Sequence, residues 1–91
     1  MATLDQIATK IITEQELVIG PLAWSEAGKV QGLQVSDHHI TFNDGDQKEV
    51  VNRLVSQYER LFGRASHEVC REAVASMIAD LKPEEIPSSL R

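Results

Sequence analysis

Ninety-one residues make one domain and are too few for two, and a chain of this size buries roughly 60–65% of its unfolded surface in a thin core. A formal net charge of −5, from 14 acidic and 9 basic side chains, argues against partners that attract basic proteins, namely nucleic acid and anionic membrane surfaces. The single cysteine, Cys70, excludes an internal disulfide, and the chain shows no signal-peptide pattern or membrane-length apolar run, so a cytoplasmic location is expected.

Thr3-Leu4-Asp5-Gln6 has the form of a capping box, with a hydroxyl at the cap and an amide three residues on. Leu4, Ile7, Ala8, Ile11 and Ile12 then recur at helical spacing, and the pattern runs to Leu17, Val18 and Ile19. Gly20-Pro21 breaks this first helix, glycine suiting a left-handed stop and proline the first turn of a successor. A shorter second helix is expected from Pro21 to about Val30, carrying Leu22, Ala23, Trp24 and Ala27.

Leu33-Gln34-Val35 and Ile40-Thr41-Phe42 alternate around Ser36-Asp37-His38-His39 and predict a small β-hairpin. Two strands are marginal alone, so the hairpin must pack on the helices or pair with another chain. Asn43-Asp44-Gly45 leads to Asp46, which is spaced from Glu49 as a helix cap. Val50, Val51, Leu54, Val55, Tyr58, Leu61 and Phe62 mark a third helix stopped by Gly63. Ser66 is the expected cap of a fourth, with Val69, Cys70, Ala73, Val74, Met77, Ile78 and Leu81 inward. Lys82-Pro83 ends it. The domain is thus expected over residues 1–82, with 83–91 a loosely held tail.

A shift of 43 positions lays Ile11–Glu16 on Leu54–Glu59, Val18-Ile19-Gly20 on Leu61-Phe62-Gly63, and Ala27 on Cys70. Two readings are open. Either the chain is a structural repeat, or two amphipathic helices with glycine stops merely look alike. Within the first unit, Val18-Ile19-Gly20-Pro21-Leu22-Ala23 resembles an IGPLA-type segment of small helical domains in bacterial, cyanobacterial among them, regulatory proteins. The resemblance covers six residues and implies an accessory to a signalling or motility module.

Asp37-His38-His39 is the most conspicuous polar cluster. It is the triplet that names the DHH phosphoesterases, whose further Asp and His ligands have no counterpart here. Adjacent strand residues point to opposite faces, so both histidines could ligate one metal only from a turn. Asn43–Asp46 suggests a calcium loop, but with Gly45 sixth the first and third positions fall on Ile40 and Phe42, which cannot ligate calcium. His67 and Cys70 could be a base and a thiol, yet Cys70 lies on the apolar stripe, where cysteine behaves as a small hydrophobe.

The expected fold is mainly α, in order α-α-β-β-α-α, with four helices in two helical hairpins and one small β-hairpin. The expected function is a non-enzymatic protein–protein interaction or regulatory domain, with no cofactor and no metal. Its partner is another protein, a second copy of the chain included, and not nucleic acid. Trp24, Leu22, Val35, Ile40 and Phe42 form the expected interaction surface, Trp24 serving equally well as a plug for the core. The alternatives are a metal- or ligand-binding enzyme subunit using His38 and His39, and a nucleic-acid-binding regulator.

Overall fold

Apolar periodicity and two glycine stops produce four helices in the computed structural model, which describes residues 3–43 and 45–91. They are α1 (Leu4–Ile19), α2 (Leu22–Ala27), α3 (Gln47–Phe62) and α4 (Arg64–Ile78), with strands β1 (Leu33–Ser36) and β2 (His39–Phe42) between α2 and α3. The order is the expected α-α-β-β-α-α. No helix among the described residues is long and apolar enough to cross a membrane.

Local chemistry accounts for most element ends. At the start of α1, Thr3 and Gln6 form the expected capping box, with Gln6 Oε1 accepting from the Thr3 backbone N–H at 3.1 Å, and the Thr3 hydroxyl donates its hydrogen to Asp5. Asp46 caps α3 by accepting from the Lys48 N–H at 2.9 Å, so an otherwise unpaired first-turn amide is satisfied. The second helix is shorter than expected, because Gly28 ends it and Pro21 is its cap rather than its first residue. Ser66 is not a cap either: α4 begins at Arg64, and Gly63 ends α3 and starts α4 at once.

That single-residue link depends on backbone geometry. Gly63 has φ 94° and ψ 175°, and Gly20 at the matching corner has φ 75° and ψ −160°. Both lie at positive φ with extended ψ, a region open essentially to glycine alone. They are not the left-handed helical stops expected. An extended ψ turns the chain straight into the next helix, whereas a left-handed stop would curl it back over the last turn.

The shift of 43 positions carries α1 onto α3 with the same ends. The buried residues of α1 are Ile7, Ala8, Ile11, Ile12 and Gln15, and those of α3 are Val50, Val51, Leu54, Val55 and Tyr58, which are the same five positions displaced by 43. The two glycine amides repeat as well, Gly20 donating to the Glu16 carbonyl at 2.9 Å and Gly63 to that of Glu59 at 2.8 Å. Contacts across the boundary are reciprocal. Gln15 Nε2 donates to the Ser66 carbonyl at 2.9 Å, and Tyr58 Oη donates to the Ala23 carbonyl at 2.7 Å. Gln15 and Tyr58 are equivalent positions, as are Ala23 and Ser66. Reciprocity of this kind is the signature of a two-fold relation, so residues 4–23 and 47–66 form a structural repeat, whereas α2 has 6 residues and α4 has 15.

Each helical pair is closed by the segment that follows it. In the first, the hairpin lies on α1 and α2, with Leu33 paired to Phe42 and Val35 to Ile40. Leu33 and Ile40 sit in the core, and Val35 and Phe42 pack against it. In the second, the C-terminal segment lies on α3 and α4 through the 3-10 turn Ser88–Leu90. The expectation of a loose tail overlooked what its apolar residues could reach. Pro87 and Leu90 are buried. Asn52 accepts from the Ser89 backbone N–H at 3.0 Å and from the Ser89 hydroxyl at 2.6 Å, and a ring nitrogen of His67 lies 2.6 Å from the Ser89 carbonyl.

Candidate functional site

Asp37 and His38 form a two-residue hairpin turn at φ 51° and 62°, the paired positive φ that a tight hairpin demands and that Asp and His tolerate better than most. His38 stacks on Trp24, with ring centroids 4.7 Å apart and planes 16° from parallel. His39 is the first residue of β2. The two histidines therefore belong to different local geometries, and His38 already has a partner for its ring face. Among the described residues no three His, Cys, Asp or Glu side chains gather as a metal site would need. The calcium-loop reading of Asn43–Asp46 rests partly on Asp44, which lies outside the described residues.

Cys70 is fully buried, and burial pushes its thiol up to about 11, opposed in part by a hydrogen bond from Gln15. A thiol held neutral there is no nucleophile. His67, its supposed base, is turned to the tail and to Glu59, whose Oε2 lies 3.5 Å from His67 Nδ1. Burial, ahead of the nearby Cys70 and Glu26, likewise raises the Tyr58 hydroxyl and keeps it a donor. Glu26 is held below the usual carboxylate range by hydrogen bonds from Lys29 and then Gln57. These are structural roles, tying α2 to α3.

The expected interaction surface is divided by the fold. Ile40 is in the core and is removed from any free surface, because the hairpin lies face down on α1 and α2. Val35, Phe42 and Trp24 are partly buried against that core, and Trp24 Nε1 is buried without a hydrogen-bond partner. Trp24 is thus a core plug whose ring face stacks on His38. Leu22 alone of the five is exposed.

Among the described residues the large exposed hydrophobic side chains are Leu17 (78% exposed), Val18 (64%), Leu22 (46%) and Leu61 (42%). All four flank the two glycine corners. The bonds from Gln15 to Ser66 and from Tyr58 to Ala23 tie the end of α1 to the start of α4 and the end of α3 to the start of α2. At the other end, Thr3, Leu4, Asp46 and Gln47 share one open hollow of about 430 Å³. So α1 and α3 run in the same direction, and both corners lie at one end of the molecule.

Comparing the two corners separates what the fold requires from what it does not. Val18 matches Leu61, and Ile19 matches Phe62. But Leu17 stands where the second unit has Arg60, Pro21 where it has Arg64, and Leu22 where it has Ala65. Leu17 lies two residues beyond the buried Gln15, about 200° around the helix, so no packing neighbour of that face can reach it. A helix C-terminus favours a cation, and Arg60 supplies one in the last turn of α3 while α1 has none. The periodic pattern marked Leu17 as apolar, but only the positions of the neighbouring helices show that it is uncovered.

Comparisons with protein-family models, curated proteins and solved structures find no match to this chain.

Proposed function

We propose that this chain is a non-enzymatic protein–protein interaction domain of regulatory type, acting in the cytoplasm and docking through the Gly20 corner with Leu17, Val18 and Leu22. One observation carries the reading. The fold builds the same corner twice, and at Gly63 it manages with Arg60 and Ala65 where the Gly20 corner exposes Leu17 and Leu22. Leaving a large apolar side chain in water earns the fold nothing, since burying it would be worth roughly 1.5–3 kcal/mol. Apolar residues gathered at one rimmed spot mark a contact surface. The resemblance of Val18–Ala23 to IGPLA-type regulatory segments falls on this same corner and supports the regulatory part of the reading.

The test is a photo-crosslinking residue placed at position 17 in the source cell, with the exposed position 72 on α4 as control. The expected result is a discrete adduct from position 17 and none from position 72. Equal labelling from both positions, or no adduct from position 17, overturns the docking site.

A further inference from the structure

We infer that the occupant of this corner is a second copy of the chain, the Gly20 corner of each copy seating on the Gly63 corner of the other; the inference rests on the docking reading above. Area and charge both point this way. The exposed parts of Leu17, Val18, Leu22 and Leu61 amount to on the order of 400 Å² of apolar surface. A standard interface covers about 800 Å² per partner, a little over half of it apolar. The four side chains together match that apolar share, whereas the Gly20 corner alone falls short.

The rim is self-complementary. Over the matched windows, residues 13–22 carry Glu14 and Glu16 and no cation, whereas residues 56–65 carry Arg60 and Arg64 against Glu59 alone, so the Gly20 corner is net negative and the Gly63 corner net positive. A uniformly acidic or uniformly basic partner would face repulsion on one half of this end. An identical copy turned by a two-fold axis meets opposite charge on both halves, and complementary potentials of this sort select partners and fix their register. Leu17, the most exposed of the four and set where the repeat otherwise has an arginine, would lie against the other copy's Leu61, between the two rims.

Sedimentation over a hundredfold range of concentration tests the proposal, with circular dichroism to confirm folding. The wild-type chain should be a dimer whose dissociation constant rises about a hundredfold in Leu17→Arg and about tenfold in Leu22→Ala, the size of loss expected at the centre of an interface. Both substitutions install what the second unit carries, or matches, at the equivalent position, and Leu22→Ala guards against misfolding of the first. Glu16→Arg should weaken the dimer and Glu16→Arg with Arg60→Glu should restore it. A monomer mass at every concentration overturns the second copy, as does a dimer indifferent to Leu17→Arg and Leu22→Ala. The crosslinking experiment keeps the two readings apart. An adduct at position 17 of any mass other than twice the chain retains the docking site and overturns the self-association.

Discussion

Tyr58 donates its phenolic hydrogen to the Ala23 carbonyl at 2.7 Å, closing the second unit on the first. Its equivalent, Gln15, closes the first on the second through Nε2, but Gln15 Oε1 is buried with no partner. The two substitutions that remove these bonds should therefore differ. Tyr58→Phe loses a satisfied bond and should cost about 1 kcal/mol. Gln15→Leu loses the bond to the Ser66 carbonyl and a weak one to Cys70 Sγ but also removes an unsatisfied buried acceptor, so it should cost less than Tyr58→Phe. Urea unfolding of both variants decides it, and the reverse order of stability would refute the account.

Gly63→Val should destabilise by on the order of 2 kcal/mol through the backbone alone. A Cβ at Gly63 meets nothing within 4 Å, and the same holds at Gly20, so the first side-chain carbon adds no clash with packed neighbours. Gly63→Ala should then cost almost as much as Gly63→Val. A valine variant much worse than the alanine variant would show that side-chain crowding, not φ, sets the requirement.

The C-terminal segment should behave as part of the fold. Leu90 is in the core, and truncating a buried leucine to alanine leaves a cavity costing on the order of 2–4 kcal/mol. Leu90→Ala should lower the thermal midpoint by roughly 10 °C or more, and Asn52→Ala, which loses both bonds to Ser89, should lower it by less. Unchanged midpoints in both variants would mean that the segment contributes nothing in solution.

Glu26 predicts a pH dependence of definite sign. Its carboxylate accepts from Lys29 at 3.1 Å and from Gln57 at 2.8 Å, which lowers its pKa below the ordinary 4.5. A depressed folded-state pKa means that the stabilisation is fully present above about pH 4.5 and is lost as pH falls through the lowered value. Glu26→Gln should be less stable than wild type at pH 7 and converge with it near pH 2. Parallel stability curves from pH 7 to pH 2 would rule out this contribution.

The ends of α1 and α3 and the apolar faces were legible in the sequence because they depend on neighbours three and four residues away. The α1 face from Ile7 to Ile12, the α3 face from Val50 to Tyr58 and the hairpin of Leu33–Val35 with Ile40–Phe42 all follow from such local periods. The 43-residue shift was visible too, but periodicity alone could not distinguish a repeat from two similar helices. Tertiary contact decided that, because only the crossed bonds of Gln15 and Tyr58 show the units turned upon one another. It also decided which apolar residues are free. Ile40 and Leu17 are both large and aliphatic, yet one lies under the hairpin and the other stands in water. A hydrophobic side chain carries no mark of its neighbours across the chain, and burial is a property of what those neighbours cover. The tail followed the same rule: polar and proline-rich in sequence, it is held by Leu90 in the core and by Asn52, a residue 37 positions away from Ser89.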